Sequence, residues 1–250
     1  MKIAIAGKGG VGKSTISAFI IEALLEAGRR VLAIDADPSP HLARLLGFPE
    51  AEAIVPIAEM TDLLEERTGK EGAFYLLNPK VDDLPERFML RRGPLSLMVV
   101  GAIRKGGGGC ACPENTVLRN LINLLVFGAQ EDLVLDMEAG VEHLGRGTLA
   151  GVDHLLVVVQ PYQGSLETAA KIARLAEDLG LAPPLYLANA TTDEADVAFI
   201  KEGLGVEPFG VFPYDPAVRR AERAGEPIAK SSPLLLQVAK EVVKKLADGA

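Results

Sequence analysis

The most constraining feature of the sequence is an apolar run that turns into a glycine-rich loop near the start of the chain. Residues 3–6 read Ile-Ala-Ile-Ala, and residues 7–14 read Gly-Lys-Gly-Gly-Val-Gly-Lys-Ser, which fits the pattern G-x-x-x-x-G-K-[ST]. A strand that ends in glycines and continues as a helix directs backbone amides and the positive helix end toward a phosphate group. The pattern therefore predicts a strand, a phosphate loop and a helix, in that order.

The residue types in this loop have distinct chemical roles. The glycines let N–H groups approach phosphate oxygens closely. Lys13 supplies a mobile positive charge for the outer phosphates, and Ser14 offers a hydroxyl to Mg²⁺. The residues expected to bind the nucleotide here are Gly9, Gly10, Val11, Gly12, Lys13, Ser14 and Thr15.

The same glycines also satisfy a competing pattern. Gly7, Gly9 and Gly12 fit G-x-G-x-x-G, the dinucleotide fingerprint, and Asp35 lies near the distance at which that fold keeps its ribose-binding acid. On its own this pattern is weak, and the adjoining Lys13-Ser14 pair is more specific. Acidic residues later in the chain decide between the two interpretations.

Acids follow two predicted strands. Asp35 and Asp37 come after the apolar run 31–34, and Asp136 comes after 133–135. Bound Mg²⁺ and an attacking water both require carboxylates at the sheet edge beside the phosphates. The alternative for the first pair is a strand end with a helix-capping acid. Two acidic strand ends favour ATP and Mg²⁺ over a dinucleotide, which needs only one.

Strand and helix patterns alternate along the whole chain. Apolar strands are expected near 2–6, 31–34, 96–100, 132–136, 155–159, 185–188 and 208–211, and helices near 13–27, 58–68, 116–128, 165–179, 194–202, 216–224 and 233–247. Continuous Val/Ile/Leu strands between amphipathic helices are typical of a mostly parallel sheet covered on both faces. We therefore expect an α/β protein with the three-layer P-loop NTPase fold, as one domain over residues 1–250.

Composition and net charge limit the kinds of molecule that this protein is expected to bind. The 250 residues carry a net charge of −8, which argues against a general nucleic-acid-binding surface. No run approaches 18 apolar residues, and residues 1–6 resemble a strand more than a signal peptide. We expect a cytoplasmic protein that binds neither nucleic acid nor membrane.

The two cysteines, Cys110 and Cys112, stand one residue apart after four consecutive glycines. Pro113 suits the first position of the next helix, and a thiolate near a helix N-terminus is stabilised. Two thiolates are half of a tetrahedral soft-metal site, which a symmetric dimer would complete. The spacing alone also allows a redox pair or two incidental cysteines.

Lys8, early in the phosphate loop, makes the loop resemble that of a group of dimeric ATPases with a deviant Walker A motif, which includes the nitrogenase iron protein and the septum-site and partition ATPases. The resemblance implies that Lys8 reaches the partner's nucleotide across a dimer. It further implies that Asp37 orients the attacking water and that Asp35 and Asp136 support Mg²⁺, directly or through water.

The same resemblance implies roles near the base of the nucleotide. Asn189 follows the predicted strand 185–188 and matches the adenine-reading asparagine of the group. Pro213, Tyr214 and Asp215 match its second base-side loop. Without the resemblance, Asn189 is only a residue type common in turns at strand ends.

Taken over nearly its full length, the chain resembles the carbon monoxide dehydrogenase maturation ATPases. The features that carry this resemblance are the cysteine pair, the segment 136–147 and the segment 213–216. It implies a homodimeric ATPase that binds Ni²⁺ through Cys110 and Cys112 and serves carbon monoxide dehydrogenase or acetyl-CoA synthase. The same site can also accept Zn²⁺. The alternatives are a nucleotide-switched iron–sulfur scaffold and a positioning ATPase without a metal role.

Overall fold

The computed structural model describes residues 1–69, 76, 78–102, 113–137 and 149–249. The strands in these residues are β1 (Lys2–Gly7), β2 (Val31–Ala36), β3 (Leu90–Arg92), β4 (Leu95–Val99), β5 (Asp132–Met137), β6 (His154–Val159), β7 (Leu185–Thr191) and β8 (Gly210–Pro213). The helices are α1 (Lys13–Glu26), α2 (Leu42–Leu45), α3 (Thr61–Thr68), α4 (Leu84–Phe88), α5 (Pro113–Gly128), α6 (Gln163–Asp178), α7 (Glu194–Leu204), α8 (Pro216–Ala224) and α9 (Pro233–Ala247), with a 3-10 turn at Ile57–Glu59.

The eight strands form one sheet in the order β3-β4-β2-β5-β1-β6-β7-β8. Strand β3 runs antiparallel to β4, and the other neighbours are parallel. The carboxyl ends of β1, β2 and β5 therefore lie side by side at one edge of the sheet. Ligands of open parallel sheets bind beyond this edge.

Helices cover both faces of the sheet because its strands are apolar on both sides. Ile3 and Ile5 of β1 pack in a cluster with α1, α2, α8 and α9. Ala4 and Ala6, which point to the opposite face, pack in a second cluster with α3, α5, α6 and α7. Each fully buried large side chain contributes about 1.5–3 kcal/mol. This three-layer arrangement confirms the predicted fold class.

The expected strands and long helices are present, with ends that differ by no more than three residues. The short helix expected near 58–68 is a 3-10 turn followed by α3. The sequence patterns did not predict β3, α2 or α4, which are three to five residues long. Among the described helices, none has the length and apolar character needed to cross a lipid bilayer.

Candidate nucleotide-binding site

The loop between β1 and α1 has the backbone shape that its glycines allow. Gly10 and Gly12 have φ angles of 81° and 90°, which side-chain-bearing residues rarely adopt. Gly7 packs against the neighbouring strand β6 so closely that a Cβ atom would lie 2.5 Å from the carbonyl oxygen of Val158. The loop is therefore built around glycine at its start and at its junction with the helix.

Helix α1 begins with its first amides open to a ligand. Its capping residue is Gly12, and no side chain in the described part of the chain caps it. The first N–H groups of a helix need a partner, and an anion such as phosphate is a suitable one. They face a pocket of about 480 Å³. The residues that line it are Gly9, Gly10, Gly12, Lys13, Ser14, Thr15, Asp37, Ser39, His41, Leu45 and Glu222.

Asp35 and Asp37 lie at the end of β2 but have different surroundings. Asp35 is fully buried, and its carboxylate accepts hydrogen bonds from the N–H groups of Asp37, at 3.2 Å, and Leu42, at 2.9 Å. Burial raises the pKa of Asp35 to about 6, and these backbone hydrogen bonds partly offset the rise. The Asp37 carboxylate lines the pocket, 3.7 Å from Nζ of Lys13. Asp35 thus shapes the loop that brings Asp37 to the phosphate side.

Asp136 has the features of a metal ligand. It is fully buried at the end of β5, and neither carboxylate oxygen has a hydrogen-bond partner within the described ranges. Burial, with the negative charge of Asp35, raises its pKa to about 8, and nearby Ser14 and Lys13 partly counter this. An orphaned carboxylate beside a serine hydroxyl suits Mg²⁺, which prefers hard oxygen ligands. The residues present therefore fit a magnesium ion.

The predicted base-side residues converge on a second pocket. Asn189, Pro213, Tyr214 and Asp215 all line a cavity of about 110 Å³. It shares the lining residues Thr15 and Glu222 with the pocket beside the phosphate loop, so the two pockets are adjacent. This arrangement could hold the base and the phosphates of one nucleotide.

Asn189 is held against the phosphate loop in this structure. It is 8% exposed, and its Nδ2 donates a hydrogen bond of 2.7 Å to the carbonyl oxygen of Val11. A Cβ atom on Gly12 would lie 2.3 Å from the same nitrogen. The next residue, Ala190, has a φ of 55° at an irregular step in the pairing of β7 with β8. This irregularity in the strand directly follows Asn189, whose side chain points toward the phosphate loop.

Two further residues contact the site that sequence reasoning missed. Gln160 follows β6, and its Nε2 donates a hydrogen bond of 3.3 Å to the Val11 carbonyl oxygen. Tyr162 lies close to Lys8, whose Nζ is 5.4 Å from the ring centre. The sequence does show a polar turn directly after the apolar strand β6. This turn indicates a contact with the phosphate loop only once β6 is known to lie beside β1.

Not every predicted residue is brought to the pocket. The predicted phosphate-side residues absent from its described lining are Lys8, Val11, Asp35 and Asp136, of which the last three are fully buried. Cys110 and Cys112 lie outside the described residues, and so do residues 138–147 of the segment that follows Asp136. Helix α5 is present from Pro113, the first described residue after this gap, three residues before the start expected near residue 116.

Comparison with known proteins agrees with this geometry. A family model described as the CobQ/CobB/MinD/ParA nucleotide binding domain matches residues 2–228. The carbon monoxide dehydrogenase accessory protein CooC of Rhodospirillum rubrum is 43% identical over 231 residues, which cover 90% of this chain and 88% of that protein. An ATP-binding protein of Methanocaldococcus jannaschii is 41% identical over 251 residues, 98% of this chain and 95% of its own.

Solved structures share the fold. A chain of the MinC:MinD cell division protein complex of Aquifex aeolicus matches with a TM-score of 0.71 at 22% identity, covering 100% of this chain and 96% of that one. MinD of Pyrococcus horikoshii, solved with Mg-ADP, matches with a TM-score of 0.70 at 19% identity and covers 99% and 97%. The chain belongs to the CobQ/CobB/MinD/ParA family of nucleotide-binding proteins.

Proposed function

We propose that this protein is an ATP-hydrolysing metallochaperone that delivers nickel to carbon monoxide dehydrogenase or to acetyl-CoA synthase. The observation that carries the ATPase part is the proximity of Lys13, Asp37 and Asp136 at one sheet edge, where the Asp136 carboxylate has no hydrogen-bond partner among the described residues. The client is inferred from the name of the Rhodospirillum rubrum relative, which matches over 90% of this chain.

The chain's own residues divide the work of phosphoryl transfer to water. The amides of the glycine loop and of the first turn of α1 bind phosphate oxygens, and Lys13 neutralises the outer phosphates. Ser14 and Asp136 would hold Mg²⁺, which when bound neutralises charge on the phosphate oxygens. Asp37, which reaches Lys13 from a loop fixed by Asp35, orients the attacking water. In this scheme Lys13 leaves Asp37 for the phosphates when nucleotide binds.

Lys8 completes the site only in a homodimer. It is partly exposed and does not line the pocket of its own protomer within the described residues. In a dimer with the nucleotides at the interface, Lys8 of each protomer contacts the phosphates bound by the other. ATP therefore favours the closed dimer, and hydrolysis removes the contact and reopens it.

Nickel is the cargo in this proposal. Cys110 and Cys112 directly precede α5, and two pairs related by a dimer axis supply four thiolates. The cysteine loop comes before β5 in the chain, and β5 ends at Asp136. We expect closure around ATP to alter the geometry of the cysteine site and to release the metal to the client.

The mass of the native particle together with its metal content tests the proposal. We expect the wild-type protein to bind one Ni²⁺ per dimer and to dimerise more strongly with ATP and Mg²⁺. The double variant C110S/C112S should lose the metal and retain ATP-dependent dimerisation.

Three outcomes would count against parts of this function. Stoichiometric nickel in C110S/C112S would remove the cysteines from the metal site. A brown protein with charge-transfer absorption after anaerobic purification would favour an iron–sulfur scaffold. A metal-free protein that dimerises with ATP alone would favour an ATPase without a metal role.

A further inference from the structure

The Lys8 side chain contacts Tyr162 in this structure and is not among the described residues that line the nucleotide pocket. Its ammonium group lies 5.4 Å from the centre of the Tyr162 ring, within the range of a cation–π interaction. Tyr162 is the residue before α6 and is 37% exposed. No ion pair joins Lys8 to a carboxylate in the described part of the chain, whereas Lys13 of the same loop lies 3.7 Å from Asp37. The contact with Tyr162 is therefore the main attraction that the described residues offer this charge.

Gly164 makes room for the ammonium group. A Cβ atom at this position would lie 2.5 Å from Nζ of Lys8 and 3.7 Å from Cε2 of Tyr162. Gly164 lies in the first turn of α6 and is not among the glycines with a positive φ angle. Its backbone conformation therefore does not require glycine. Glycine is otherwise a poor helix former. Among the described residues, the one close neighbour that a methyl group would displace is the end of the Lys8 side chain.

The turn that carries Tyr162 and Gly164 is fixed to the phosphate loop. The backbone N–H of Gln160 donates a 3.0 Å hydrogen bond to the buried Ser165 hydroxyl, and its side chain donates to the Val11 carbonyl oxygen. Strand β6, which leads into the turn, pairs with β1, which leads into the phosphate loop. The segment that carries Lys8 and the turn that carries Tyr162 are therefore joined by strand pairing and by a side-chain hydrogen bond.

The position is suited to weak, releasable binding. The start of α6 carries the positive end of the helix dipole, which disfavours a cation. The ring attraction opposes this effect and is modest at an exposed site. An ammonium group held there can leave when a stronger, negatively charged partner becomes available.

We infer that Tyr162 and Gly164 form a seat that retains Lys8 within its own protomer, in competition with the partner's nucleotide. This inference rests on the proposed function, in which Lys8 crosses the dimer interface. One ammonium group cannot occupy both places, so any stabilisation of the seated state favours the separate protomers. Tyr162 and Gly164 are positioning residues that set how readily the dimer closes.

The seat is tested first in the nucleotide-free protein, by the rate at which acetic anhydride acylates Lys8, measured by mass spectrometry. G164A and Y162L should raise this rate relative to wild type, because both remove the ammonium contact. Y162F should behave like wild type, since the ring remains. The matched control is G128A, whose Cβ atom would meet no described residue within 4 Å. Equal rates in wild type, G164A and Y162L would overturn the seat.

The competition is tested next by sedimentation with ATP and Mg²⁺. The dimer association constant of G164A and Y162L should rise about 4- to 25-fold, because each dimer releases two seats and one surface cation–π contact corresponds to about two- to fivefold, while Y162F and G128A stay at the wild-type value. An unchanged or weakened association in G164A and Y162L would overturn the competition. If wild type does not dimerise with ATP, or K8A dimerises equally well, the proposed function itself fails, and the acylation rates still decide the seat.

Discussion

Asp35 and Asp136 are paired residues on the adjacent parallel strands β2 and β5, and both side chains are fully buried. Asp35 has backbone N–H partners for its carboxylate, whereas Asp136 has no hydrogen-bond partner within the described residues. The negative charge of Asp35 adds to burial in raising the pKa of Asp136. Among the described residues, the fold thus leaves the Asp136 carboxylate without a hydrogen-bond partner at the place where the proposed function requires a cation.

The first prediction concerns the stability of the protein without magnesium. The pKa of Asp136 rises from 3.8 to about 8 on folding because of burial and the charge of Asp35. The folded state therefore binds this proton more tightly than the unfolded state. Stability from this group is fully present below about pH 4 and is lost as the pH rises toward 8.

The variant D136N should flatten this loss. One proton accounts for a slope of about 1.4 kcal/mol per pH unit in the free energy of unfolding. Urea unfolding of wild type, D136N and the exposed-acid control D82N between pH 5 and 8, in the presence of a chelator, measures the slopes. Parallel slopes in wild type and D136N would show that Asp136 is already ionised in the folded protein.

The second prediction concerns the charge that binds the outer phosphates. Lys13 is 5% exposed and lines the phosphate pocket. Because a hydrogen bond to a charged group contributes about 1.5–3 kcal/mol, K13Q should weaken ADP binding by about 10- to 150-fold. Isothermal titration with Mg²⁺ present measures the affinity. The control K230Q changes a lysine that is 78% exposed and should bind like wild type.

The third prediction concerns the glycine at the junction of loop and helix. In G12A the new methyl group would collide with the Asn189 side chain, and residue 12 would have to keep a φ angle of 90°. We therefore expect the free energy of unfolding to fall by about 1–3 kcal/mol. In G9A the methyl group would enter open space, and stability should change by less than about 1 kcal/mol. Thermal or urea unfolding of the two variants compares them directly. Equal losses would contradict the close contact with Asn189.

Much of this fold follows from patterns that the sequence displays. The parallel strands are continuous apolar runs because both faces are covered, and the long helices alternate with them at regular intervals. Strand β3 was missed because it is a three-residue edge strand with Arg91 and Arg92 exposed, a composition that does not resemble a buried strand. Its pairing with β4 depends on the turn at Gly93, a local feature without periodicity.

The site was predictable where its chemistry is local and was not where it depends on distant contacts. The phosphate loop, Asp37 and Asp136 stand at the ends of recognisable strands. The contacts of Asn189 and Gln160 with Val11 join residues 178 and 149 positions apart, so only the sheet order brings them together. The seat of Lys8 on Tyr162 likewise requires β1 and β6 to be neighbours.

The most direct measurement is the ATP hydrolysis rate of D37N together with its affinity for ATP, both with Mg²⁺. Asp37 lines the pocket beside Lys13, and the proposed mechanism uses it to orient the attacking water. We expect D37N to bind ATP at least as tightly as wild type and to hydrolyse it about 100- to 10,000-fold more slowly, with the exposed-acid control D62N at the wild-type rate. Hydrolysis by D37N at the wild-type rate would contradict the proposed site.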